Sequence, residues 1–157
     1  MTERELRISF LEYGSLEEMS ETDRSLALSA IEAIDGSYAP YSHFNVGAAV
    51  LLSDGTVVKG ANQENAAYPS GLCAERTAMF AAGAAHPDLD ICSIAIAARQ
   101  NGELCSEPAA PCGACRQVMA QYQTKAGKPL SVILVGAKKM QKFTRVDDLL
   151  PFIFDNI

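Results

Sequence analysis

The chain has 157 residues, 48% of them apolar, and a net charge of −6. That is enough for one compact domain with its own core, in a composition typical of folded chains. The acidic balance argues against a nucleic-acid backbone as main partner, which needs a basic patch; no apolar stretch nears the ~20 residues of a membrane span, and the polar start carries no signal core, so a cytoplasmic protein is expected.

Residues 1–20 give no usable signal. Leu26, Ala30, Ile31 and Ile34 recur at helical spacing and predict a helix over 21–34, stopped by Asp35-Gly36 with Gly36 as its cap. Strands are predicted over 46–52 and 56–61, joined by the turn signal Ser53-Asp54-Gly55. Tyr68-Pro69-Ser70-Gly71 reads as a loop. The Ala-rich stretch 73–82 predicts a buried helix ended by Gly83, and 91–98 a strand apolar on both faces. Residues 99–110 read as a polar loop, 112–122 as a second buried helix and 130–135 as another continuous apolar strand. A short strand around Lys142-Phe143 and a small helix over 146–150 precede Pro151. Helices alternating with doubly apolar strands predict an α/β fold in three layers, α-β-α. Its mixed sheet should have about five strands, antiparallel at the first hairpin and parallel where helices cross over. With no repeat or linker, one domain over 1–157 is expected.

The five cysteines are Cys73, Cys92, Cys105, Cys112 and Cys115. An odd number without a signal peptide suggests metal ligands or buried thiols rather than a disulfide framework. Cys112 and Cys115 share a face on the first turn of a helix that Pro111 helps to start. Cys73 begins another helix, and helix N-termini favour thiolate over thiol. Three thiolates leave a tetrahedral zinc ion one open position, the arrangement of sites that activate a water. Glu75 is too near Cys73 in sequence to bind the same ion easily, but it can carry protons across that open position. Three thiolates make the site negative, and Arg76 and Arg116, each just after a ligand cluster, are candidates to donate to sulfur. Two other readings stay open on these residues. One is a redox pair at Cys112 and Cys115; the other is a structural zinc closed by His43, His86, Cys92 or Cys105. Cys92 is most simply a core thiol and Cys105 a free loop side chain.

Cys73-Ala74-Glu75 followed by Pro111-Cys112-Gly113-Ala114-Cys115 resembles the shared signature of zinc-dependent nucleoside and nucleobase deaminases. Further stretches narrow the resemblance: 41–49 (YSHFNVGAA), 62–66 (NQENA), 73–78 (CAERTA), 111–119 (PCGACRQVM) and 149–151 (LLP). From about Tyr38 onward the chain resembles the small homotetrameric cytidine deaminases. That resemblance implies hydrolysis of cytidine and 2′-deoxycytidine to uridine and 2′-deoxyuridine with release of ammonia, in pyrimidine salvage. It also implies one zinc ion per subunit on Cys73, Cys112 and Cys115, with the activated water attacking C4 of the base. Glu75 would move the proton to N3 and then to the departing ammonia. The backbone around Ala74 would donate to the base carbonyl, Asn62 and Glu64 would bind the ribose 3′-hydroxyl, and Phe44 would pack edge-on against the base. Phe154 would be lent to a neighbouring subunit.

From the residues alone, Glu64 is as easily an exposed strand-end acid, Asn62 and Asn65 turn formers, and Phe44 and Phe154 core side chains. Tyr41 and Tyr68 remain open between packing and site lining. Gln63 stands where many relatives are apolar, and its side chain is expected to point away from the sugar. An aminonucleoside antibiotic as substrate, or a zinc-stabilised module without catalysis, are the competing functions.

Overall fold

Successive residues of a strand point to opposite faces of the sheet, and here both faces are apolar. In the computed structural model, which describes residues 1–155 and so omits the last two of the expected domain, two cores result. Ala48, Val50, Leu52, Ile94, Ile96, Val132 and Leu134 fill one; Ala49, Ala95, Ala97, Ile133 and Val135 fill the other. The elements in chain order are β1 (Leu11–Tyr13), α1 (Glu21–Ala33), β2 (Phe44–Leu52), β3 (Val57–Ala61), α2 (Ala74–Ala85), β4 (Ile91–Gln100), β5 (Glu103–Leu104), α3 (Gly113–Ala126), β6 (Ser131–Val135) and β7 (Met140–Phe143). The sheet runs β1-β7-β6-β4-β2-β3, with β5 paired to β4. Leu26, Ala27, Ala30 and Ile34 lay the α1 region on one face. Ala74, Ala78, Met79 and Ala82 of α2, with Cys115, Met119 and Ala120 of α3, cover the other. The three expected layers are therefore present.

β4 and β6, joined through α3, pair in parallel, while β2 pairs antiparallel with both β3 and β4. β3 and β4 thus run the same way on either side of β2, linked by α2. This topology leaves α2 and α3 side by side, each starting at the same edge of the layer. None of the described helices is long and apolar enough to cross a membrane.

The sheet has seven strands rather than about five. β5 lies inside the predicted polar loop. Its turn is Asn101-Gly102, both at positive φ (53° and 84°), which is the Asn-Gly signal of a two-residue hairpin. β1 comes from the silent first twenty residues and covers the edge of β7, where Phe10 stacks on Phe143 at 5.2 Å between ring centroids. Such cover shields an otherwise open strand edge.

Two glycine assignments also change. Gly36 does not cap α1; the helix tightens into a 3-10 turn, Ile34–Gly36, that keeps Ile34 buried. At the other end Ser20 caps α1, its hydroxyl accepting from the Asp23 amide at 3.2 Å. Gly83 lies within α2 rather than after it; glycine is called for there because a Cβ would run into the Tyr122 hydroxyl of α3. The small helix expected over 146–150 is a 3-10 turn, Val146–Asp148.

Candidate active site

Cys73 and Cys112 immediately precede α2 and α3, both in extended backbone, and Cys115 follows on the first turn of α3. Both helix starts meet because both helices pack on one face of the sheet through small residues. The Sγ atoms of Cys73 and Cys112 are 3.9 Å apart and those of Cys112 and Cys115 3.5 Å. A tetrahedral zinc ion with Zn–S bonds of about 2.3 Å requires sulfurs about 3.8 Å apart, so the donor set fits zinc. Among the described residues, the cluster able to hold a metal consists of these three cysteines. His43, His86, Cys92 and Cys105 do not join it, and one tetrahedral position is left without a protein ligand.

Three thiols this close compete for charge. Cys73 accepts from Cys115, Arg76 and Cys112, which brings its pKa down to about 5 against the opposing effect of burial. Cys115, which keeps its proton and donates it in a hydrogen bond to Cys73, and which is buried, is pushed upward. A divalent cation among them removes that competition. The Arg76 guanidinium reaches the Cys73 sulfur at 3.6 Å. Arg116 does not take the role expected beside sulfur: its Nε donates to the Pro111 carbonyl at 2.9 Å and its Nη1 to the Leu149 carbonyl at 2.8 Å. It braces the loop that presents Cys112.

Glu75 sits in the first turn of α2 and is only 5% exposed. Burial pushes its carboxyl above the usual range, and the Cys73 charge adds to this. It lines a cavity of about 270 Å³ together with Phe44, Asn62, Glu64, Cys73, Ala74 and Cys112. Ala74 is the first residue of α2 and fully buried, and N–H groups at that end of a helix lack intrahelical acceptors. Asn62 continues the sheet contacts beyond β3. Its Oδ1 accepts from the Val46 amide at 2.8 Å and its Nδ2 donates to the Phe44 carbonyl at 2.9 Å. One amide hydrogen and one lone pair remain.

Glu64 is more than a strand-end acid. It accepts from the backbone amides of Tyr41 (2.9 Å) and Ser42 (3.2 Å) and from the Ser42 hydroxyl. These bonds, the hydroxyl first, hold its carboxyl below the usual range. An adjoining wider cavity of about 520 Å³ shares Asn62, Glu64 and Cys73 and is also lined by Tyr41 and Tyr68. Their rings meet edge to face at 6.4 Å. Gln63 turns its Nε2 to the Gly36 carbonyl at 2.9 Å.

Phe154 lines neither cavity of its own chain; it is 69% exposed, and its carbonyl accepts from Gln117 Nε2 at 2.7 Å. Two sets of lining residues escaped sequence reasoning. Ser42 carries no signal beyond its place in the stretch 41–49, and Ala109 and Ala110 are hidden inside the predicted polar loop.

Residues 20–128 match the family described as "Cytidine and deoxycytidylate deaminase zinc-binding region". The chain is 44% identical over 133 residues to the cytidine deaminase of Halalkalibacterium halodurans, covering 84% of this chain and 94% of that one. It is 41% identical over 123 residues to the cytidine deaminase of Sporosarcina psychrophila, covering 78% and 84% respectively. Among solved structures, the cytidine deaminase from Burkholderia pseudomallei superposes with a TM-score of 0.71 at 41% identity, covering 87% of this chain and 100% of that one. The match takes in Cys73, Cys112 and Cys115, and the chain belongs to the cytidine and deoxycytidylate deaminase family.

Proposed function

We propose that the protein is a zinc-dependent cytidine deaminase, converting cytidine or 2′-deoxycytidine and water into uridine or 2′-deoxyuridine and ammonia. The observation that carries this reading is the buried carboxyl of Glu75 beside three sulfurs spaced for one zinc ion, in a cavity that Asn62 and Glu64 also line. Cys73, Cys112 and Cys115 hold one zinc ion per subunit, which when bound supplies the Lewis acidity that makes water nucleophilic at neutral pH. Glu75 takes a proton from the incoming water, delivers it to N3 of the base, and passes a proton to the ammonia that leaves C4. Burial keeps bulk water from short-circuiting these transfers.

The Ala74 amide, at the positive end of α2, donates to the base carbonyl. Phe44 packs edge-on against the ring, and Asn62 and Glu64 take the ribose 3′-hydroxyl. An ionised Glu64 also repels a 5′-phosphate, which favours nucleosides over nucleotides. Arg76 offsets the thiolate charge. Phe154 completes the site of a neighbouring subunit in a homotetramer; its exposure, with that of Phe152 at 89%, supports this placement. Residues 1–157 act as one domain in the cytoplasm, within pyrimidine salvage, and a single sheet that takes in all seven strands supports the one-domain reading.

The test is ultraviolet absorbance after adding cytidine, 2′-deoxycytidine, adenosine and free cytosine separately. The two cytosine nucleosides should turn over. Turnover of adenosine or cytosine with cytidine untouched would contradict the assignment.

A further inference from the structure

Ser42 stands in the turn before β2, between two groups of the cavity that belong to different halves of a nucleoside. Its hydroxyl accepts from the Phe44 amide at 3.1 Å and bonds to Glu64 Oε1. A hydroxyl has one hydrogen and two lone pairs. The Phe44 N–H occupies a lone pair, and because an ionised carboxylate can only accept, the hydroxyl hydrogen goes to Glu64. Glu64 Oε2 meanwhile accepts the Tyr41 and Ser42 amides, which fills both its lone pairs. One lone pair of Oε1 is left, and the Ser42 hydroxyl decides where it points.

We propose that Ser42 is a positioning residue: one hydroxyl aims the last free acceptor of Glu64 at the sugar and anchors the backbone that carries the Phe44 ring. This rests on the sugar-binding role given to Glu64 above. Among the described residues Ser42 makes no hydrogen bond to the cysteine cluster or to Glu75; its side-chain partners are Glu64 and Phe44, and it acts through them.

The experiment compares wild type, Ser42→Ala and Ser42→Thr, all zinc-loaded, on cytidine and on 2′,3′-dideoxycytidine, which lacks the hydroxyl assigned to Glu64. A hydrogen bond to a charged group is worth about tenfold or more. In Ser42→Ala, kcat/KM for cytidine should fall about tenfold, chiefly through KM. For the dideoxy substrate the fall should be about threefold or less, the share owed to Phe44. Ser42→Thr, which keeps the hydroxyl, should restore cytidine kinetics to within about twofold. Equal losses on both substrates, unchanged cytidine kinetics in Ser42→Ala, or failure of Ser42→Thr to restore them would overturn the proposal. Wild-type data separate this from the underlying reading. Equal wild-type kcat/KM on the two substrates removes the sugar role of Glu64, and no turnover of cytidine removes the deaminase assignment; either result overturns the Ser42 role as well.

Discussion

Replacing Cys112 by alanine separates a metal ligand from a packing residue, because Cys112 is exposed and its side chain caps no helix amide. Removing an exposed side chain with no such contact should change the stability of the zinc-stripped protein by no more than about 0.5 kcal/mol. The zinc-loaded protein is a different case, since a ligand that binds only the folded state stabilises it in proportion to RT ln(1 + [L]/Kd). At zinc a thousandfold above Kd the wild type gains about 4.1 kcal/mol. At about 2–4 °C per kcal/mol for a domain of this size, that is roughly 8–16 °C in Tm. Two remaining thiols cannot hold the ion comparably, so Cys112→Ala should lose most of the increment. Differential scanning calorimetry of both proteins, stripped and loaded, alongside metal analysis, reads the effect directly. Retention of zinc by the variant would refute the ligand assignment. So would an equal Tm loss in the stripped and loaded forms, which would make Cys112 a structural residue.

Glu75→Gln should give a folded, zinc-loaded protein whose turnover falls by about 10²–10⁴-fold, as expected on removing a general acid–base group; metal analysis beside initial rates checks this, and near-normal rates would contradict the proton-carrier role. Gly83→Ala gains about 1 kcal/mol of helix propensity but meets the Tyr122 hydroxyl. With overpacking costing about 1–3 kcal/mol, a net destabilisation is expected. In a Tyr122→Phe background the same change should be neutral or stabilising in urea unfolding, and destabilisation of equal size in both backgrounds would rule out the Tyr122 clash. Glu64, held below the usual carboxylate range first by the Ser42 hydroxyl, stays ionised at any pH above the ordinary carboxylate value of about 4.3, so the sugar contact proposed for it is lost only as pH falls through its lower folded value. The KM for cytidine should accordingly stay flat from about pH 8 to about pH 5; a rise centred near neutrality would show that another group controls sugar binding.

The zinc centre was legible in the sequence because its determinants are local. Pro111 before Cys112 and the three-residue step to Cys115 are consequences of one helical turn, and Cys73 opens a helix in the same way. The layering was legible too, since runs such as Ile94 to Ala98 are apolar at every position and demand cover on both faces. The Asn101-Gly102 hairpin is equally local, but its two short strand ends lie in a polar stretch with no apolar alternation to mark them. Other features depend on partners distant in the chain. The Arg116 side chain looked available to sulfur until the Leu149 carbonyl, 33 residues further on, claimed it. Gly83 looked like a helix stop until Tyr122 filled the space beside it. Glu64 looked like an ordinary surface acid until the turn at Tyr41 and Ser42 folded over it.

The sequence by itself determined the cysteine cluster, the acid beside it and the two-sided sheet, because periodicity and helix-start chemistry act within a few residues. Only the tertiary structure decided which donors face sulfur and how one serine joins the two ends of the cavity. A side-chain hydrogen bond has no sequence period; it forms wherever packing brings a donor within about 3 Å of an acceptor.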